Sequence, residues 1–253
     1  MLWNASVLRG FEIEATDGQI GTVDDLLFDD QSWQLRWVVV HTGMWLFGRK
    51  VLLPLSALGK PNGDAHNFTV KRTKQQVQDS PDIFTDLPVS RQLEARVYQH
   101  YDWNPYWQTG FAEIANRVCT PVYMEPQQVT GATEPDVGDP HLRSAMAMVG
   151  YHIEAQGGAI GHAEDFIIDD EGWHIRYVVI DTKNWLPGKH VVISPQMIRD
   201  MDWIGHSIYL HADVAKIKAS PPYDPDMIDN CAFRKLFHKH FGLPEPADKR
   251  PHG

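Results

Sequence analysis

Gly10-Phe11-Glu12-Ile13-Glu14-Ala15-Thr16-Asp17-Gly18-Gln19-Ile20-Gly21 is answered 140 positions later by Gly150-Tyr151-His152-Ile153-Glu154-Ala155-Gln156-Gly157-Gly158-Ala159-Ile160-Gly161. The register runs without a gap from residues 10–54 onto 150–194, and 19 of those 45 positions are identical. Among the identical pairs are Asp29-Asp30/Asp169-Asp170, Trp33/Trp173, Arg36/Arg176, Trp45-Leu46/Trp185-Leu186 and Gly48/Gly188. Fainter matches continue it: Ser80-Pro81 on Ser220-Pro221, Val97 on Phe237 and His100 on His240. A repeat this long is a whole duplicated domain, not a solenoid unit.

Within each copy the pattern is mostly short strands. Residues 11–15 alternate, and Thr16-Asp17-Gly18-Gln19 reads as a turn. Residues 20–28 form a second strand, closed by Asp29-Asp30-Gln31-Ser32, where short carboxylates bond their own backbone. Residues 34–42 carry apolar groups on both faces, Leu35, Trp37 and Val39 against Val38 and Val40, which predicts a central strand. Strands at 51–54 and 68–70 follow. Short strands at this spacing predict a small closed or nearly closed barrel. Residues 73–78 and 90–101 predict helices behind the first barrel, and 229–241 the matching helix behind the second. The fold class is mainly β with short helices: two small barrels, each with a C-terminal helical tail, related by a pseudo-twofold axis. The boundaries read as 1–101, a linking segment 102–145 (aromatic, then rich in Pro, Gly and acid from Glu125 to Asp139), 146–241, and a frayed end 242–253.

The chain's 253 residues carry 23 Lys and Arg against 33 Asp and Glu, a formal charge of -10. That balance disfavours nucleic acid as a partner. No apolar run approaches the roughly 18 residues of a membrane helix, so no membrane insertion is expected. The N-terminus does not read as a signal peptide, and Cys119 and Cys231 form neither a disulfide framework nor a metal spacing. A cytoplasmic location is the expectation.

The pattern G-x-x-I-E-A-x-x-G-x-I-G-x-x-x-D, then D-D-x-x-W-x-[LI]-R-[WY]-V-V, then W-L-x-G-[RK]-x-V, resembles the PRC-barrel family over about residues 5–80 and again over 145–220. Members include the cytoplasmic domain of the photosynthetic reaction-centre H subunit and the C-terminal domain of a ribosome maturation factor. The tails are similar to those of stand-alone bacterial members. The resemblance implies a small barrel that binds other macromolecules and has no catalytic residues of its own. It also implies protein partners of a membrane-associated or photosynthetic type of complex.

Other chemistry finds little support. The acids Asp24-Asp25 and Asp29-Asp30, with Glu164-Asp165 and Asp169-Asp170, lack the alternating ligands of a calcium loop and read as turn-forming, solvated groups. His152, His162, His174 and His190 match Glu12, Thr22, Gln34 and Lys50, so none of these four histidines is shared by the two copies. His238 and His240 point to different sides of a helix and do not chelate. No nucleophile elbow, Walker sequence or dinucleotide turn is present. Neither catalytic residues nor a metal site nor a cofactor is therefore assigned.

The candidate partner-binding residues are Trp45, Leu46, Phe47 and Arg49, with Trp185, Leu186 and Lys189 in the copy. Large apolar groups beside a cation on a loop have the composition of binding hot spots. The same tryptophans could instead plug the barrel end, or pack the copies on each other as an intrachain pseudo-dimer or homo-oligomer. The aromatic cluster Tyr98, Tyr101, Trp103, Tyr106 and Trp107 reads as tail packing. The function expected is a non-catalytic adaptor that binds protein partners. The alternatives are a small-molecule or metal sensor using the histidine-rich second copy, and last an enzyme with an inter-domain cleft.

Overall fold

The computed structural model describes residues 1–43, 48–78, 139–182, 190–225 and 230–244. The chain opens with β1 (Leu2–Asn4) and a single turn of helix, α1 (Ala5–Leu8). The first sheet follows, with β2 (Glu12–Ala15), β3 (Gly18–Asp29), β4 (Leu35–His41), β5 (Lys50–Pro54) and β6 (Asn67–Thr69), and then helix α2 (Lys74–Gln78). Its hydrogen-bonded order is β5-β4-β3-β2-β6, with the β2–β6 pair parallel and the others antiparallel. Isolated bridges Leu58–Val70 and Asn62–Asn67 add residues 58–62 outside β6. That outermost segment joins β5 through the three-residue 3-10 helix Leu55–Ala57, so the two ends of the path are consecutive in the chain. The unit is mainly β with short helices, as expected. β4 is central and six of its seven residues are buried, as its two-faced apolar pattern requires.

The second half repeats this order. β7 (Leu142–Ser144) precedes β8 (His152–Gln156), β9 (Gly158–Asp169), β10 (His174–Asp181), β11 (His190–Ile193), β12 (Ile198–Asp202) and β13 (Ser207–Asp213). The path is β11-β10-β9-β8-β13-β12, again with one parallel pair, β8–β13, and again with a 3-10 helix, Pro195–Met197, between its ends. Helices α3 (Val214–Lys218) and α4 (Cys231–Phe241) follow. The repeated Ile-Gly step is a steric requirement of both barrels. A Cβ on Gly21 would stand 2.2 Å from the His41 carbonyl oxygen, and one on Gly161 2.0 Å from that of Asp181. Only glycine lets β3 and β9 approach their neighbours so closely.

α4 matches its sequence pattern. The Asn230 side chain caps it by accepting the Ala232 N–H at 2.8 Å, and Gly242, at φ 72, closes it in the left-handed conformation. Phe233, Phe237 and Phe241, four residues apart, are buried, while Leu236 is exposed. Phe237 meets the Tyr177 ring edge-on at 5.2 Å, which fixes the helix over β10. No helix among the described residues is long and apolar enough to cross a membrane. The helix expected at 90–101 and the aromatic cluster 98–107 lie outside the described residues.

β3 and β9, twelve residues each, outrun β2 and β8 and leave an open edge at their C-terminal ends. An open edge is a row of unpaired backbone groups that a protein must cover. Each half covers the other's. β1 lies antiparallel on β9, Leu2 opposite Asp169 and Asn4 opposite Ile167. β7 lies on β3, Leu142 opposite Asp29 and Ser144 opposite Leu27. The two pairings are the same under the 140-residue shift, so the halves exchange their first strands about a pseudo-twofold axis. Residues 139–145, which composition placed in the linking segment, therefore belong to the folded body. The buried apolar residues of both halves form one continuous cluster.

Candidate functional site between the barrels

The junction is built from the paired acids. Asp165 accepts hydrogen bonds from Asn4 Nδ2 at 2.8 Å, from the Ser6 N–H at 3.0 Å and from the Ser6 hydroxyl. Its match, Asp25, accepts from the Ser144 hydroxyl and from the Met146 N–H at 3.2 Å. Asp170 holds the N-terminal amine at 2.8 Å and the Trp3 indole N–H at 3.0 Å. Its match, Asp30, holds His141 Nδ1 and Arg143 Nε, each at 2.9 Å. Burial raises the Asp25 carboxyl above its ordinary value, although the hydrogen bonds from Ser144, Met146 and Leu26 oppose it. These four acids were expected to be solvated turn formers; Asp165 and Asp170 are buried and all four pin the other half's first strand. The turn work falls to Asp29 and Asp169, whose carboxylates accept the Ser32 and Glu171 N–H groups at 2.8 and 3.0 Å.

Near the axis the backbones touch directly. Gln34 bridges His174; the Leu35 N–H donates to the Trp173 carbonyl at 2.7 Å and the Ile175 N–H to the Trp33 carbonyl at 2.9 Å. Trp33 and Trp173 take left-handed backbone, φ 58 and 53, which costs energy for a non-glycine residue. The return is that each carbonyl faces the opposite strand.

Beside this junction a cleft of about 910 Å³ opens between the halves. Asp30, Ser32 and Trp33 of the first half form one wall; Arg176 and Tyr177 of β10, Arg199 of β12 and His238 of α4 are among the groups facing them. The Tyr177 hydroxyl and His238 Nε2 lie 2.9 Å apart, and His238 Nδ1 contacts the Pro244 carbonyl. Burial pushes the Tyr177 phenol up to about 12 and holds His238 below its usual value. At neutral pH the phenol therefore donates to a neutral imidazole whose proton sits on Nδ1. Burial, seconded by the Arg176 guanidinium, also lowers His174. Asp169 is raised by burial, but its hydrogen bonds from Arg176 and Glu171 outweigh this and bring it below the carboxylate range.

The sequence-predicted partner residues Trp45, Leu46, Phe47, Trp185, Leu186 and Lys189 lie outside the described residues. Arg49 is described: its carbonyl accepts the Thr42 N–H at 3.0 Å and the Thr42 hydroxyl at 2.6 Å, which ties the stem of the first loop to a buried threonine. His152 and His162 face each other across paired strands with ring centroids 4.6 Å apart, and His190 contacts Glu164 at 3.0 Å. Among the described residues no group of three His, Cys, Asp or Glu is placed to hold a metal ion. His238 and His240 have separate partners, Tyr177 and the Lys216 carbonyl, as their spacing predicts. Sequence reasoning missed the strand exchange. Its signal was present: Leu2 matches Leu142 and Ala5 matches Ala145, so the register already runs through both exchanged strands.

Residues 4–77 match the family model of the PRC-barrel domain. No curated protein matches the chain.

Proposed function

From a chain whose residues 4–77 are a PRC-barrel domain, followed by a second half on the same strand order, we infer a non-catalytic adaptor that docks protein partners. The observation that carries this reading is the reciprocal exchange of β1 and β7. It holds two copies of one surface in a fixed relation, which suits a protein that engages two sites at once, because the second contact forms at a raised effective concentration. The loops around Trp45 and Trp185 are the first docking candidates. Their residues have hot-spot composition, and the two segments match in the 140-residue register of the sequence.

Capture with C-terminally tagged protein tests the reading. The wild type is expected to retain a stoichiometric partner that the Trp45→Ala/Trp185→Ala variant loses while keeping its circular dichroism. Undiminished capture by the variant rejects that surface, and empty capture after gentle cross-linking rejects the adaptor.

A further inference from the structure

Arg36 and Arg176 occupy the same position in the two halves and meet different surroundings. The Arg36 side chain is 5% exposed, with Nη1 2.9 Å from Asp139 and 3.6 Å from Asp29. The Arg176 side chain is 50% exposed. Its Nε and Nη2 donate to Asp169, the match of Asp29, at 3.2 and 2.7 Å. No described residue stands to Arg176 as Asp139 stands to Arg36. Asp139 is a peptide-borne carboxylate held from two sides, because its other oxygen accepts the His141 N–H at 2.9 Å. The first half is thus an internal template for what this arginine takes.

We propose that the cleft beside Arg176 is a docking site for a partner peptide bearing an Asp or Glu carboxylate, which takes on Arg176 the place that Asp139 takes on Arg36. The cleft, at about 910 Å³, has room for several residues, and Arg199 and Arg234 add cations to its lining. The same lining carries the acids Asp30, Asp169, Glu171 and Asp200. Asp169 is paired with Arg176, Asp30 accepts from Arg143 and His141, Asp200 accepts the Met201 N–H at 2.9 Å, and Glu171 is exposed. A planar guanidinium presents donors matched to a carboxylate, which gives recognition at contact distance. That short range matters here, because the formal charge of -10 repels acidic partners at long range. The site rests on the adaptor reading for its partner being a protein, but its test is separate.

The probe is acetyl-Asp-Pro-amide, which copies residues 139–140, titrated into the full-length ¹⁵N-labelled protein. Saturable shifts are expected at the Arg176 Nε–H and at the Ile175 and Tyr177 amides. The Arg36 Nε–H, whose carboxylate place is already filled, stays still. Replacing Asp by Asn in the probe, or Arg176→Gln in the protein, weakens binding about tenfold or more; Arg176→Lys retains part of it. Arg176→Gln folds, because an exposed ion pair contributes little to stability. Absence of a saturable shift at Arg176 overturns the proposal, as does equal binding of the Asn probe. Acetate binding as tightly as the dipeptide makes this a small-carboxylate site and overturns the peptide. Probe binding alongside empty capture keeps the site and rejects the adaptor; captured partners with no probe shift do the reverse.

Discussion

Asp25 and Asp29 sit four positions apart on β3 and do unrelated work. Asp29 folds its own turn by accepting the Ser32 N–H, whereas Asp25 reaches across to Ser144 and Met146 of the other half. The same division separates Asp169 from Asp165, and Asp165 carries the heavier load, since Asn4, Ser6 and its own neighbour Phe166 all donate to it. Removing that carboxylate leaves several donors facing a buried gap. Asp165→Ala is therefore expected to cost about 1–3 kcal/mol in denaturant unfolding. Glu164→Ala, next to it and exposed, is expected to cost about 0–0.5 kcal/mol. Equal midpoints for the two variants would show that Asp165 is only a surface group.

The two longest strands decide the architecture, because β3 and β9 extend past their neighbours and each edge must be covered. α4 closes the second half in another way, through three buried phenylalanines and the Tyr177–His238 contact. That contact gives the helix a pH dependence of definite sign. The folded pKa of His238 lies below its unfolded value, so the unfolded chain takes up the proton first. Its stabilising contribution is complete above about pH 6.5, the ordinary histidine value, and is lost as pH falls through the lowered folded value. His174 shifts in the same direction and adds to the loss. The melting temperature should thus fall between pH 7 and pH 5, and fall less in His238→Gln, which cannot titrate. Parallel curves for the two proteins would remove His238 from the account.

At the scale of the molecule, the halves form one body because neither covers its own longest strand. The duplication was legible in the sequence because packing repeats it: Gly21 and Gly161 each face a carbonyl that admits no side chain, so the Ile-Gly step recurs. The central place of β4 was legible for the same reason, both its faces being apolar. The exchange was hidden because Trp3 and Asn4 stand where Arg143 and Ser144 stand, and only Leu2/Leu142 and Ala5/Ala145 betray the register. The roles of Asp25 and Asp165 were hidden because an aspartate before a turn has the same composition whether it bonds its own loop or a distant strand. The most direct test pairs Leu2→Cys with Asp169→Cys, which face each other across β1 and β9, in a chain with Cys119 and Cys231 replaced by Ser. Oxidation followed by peptide mass spectrometry should find residues 2 and 169 joined within a single chain of monomer mass. A bond found only between two chains, or none at all, would contradict the exchange.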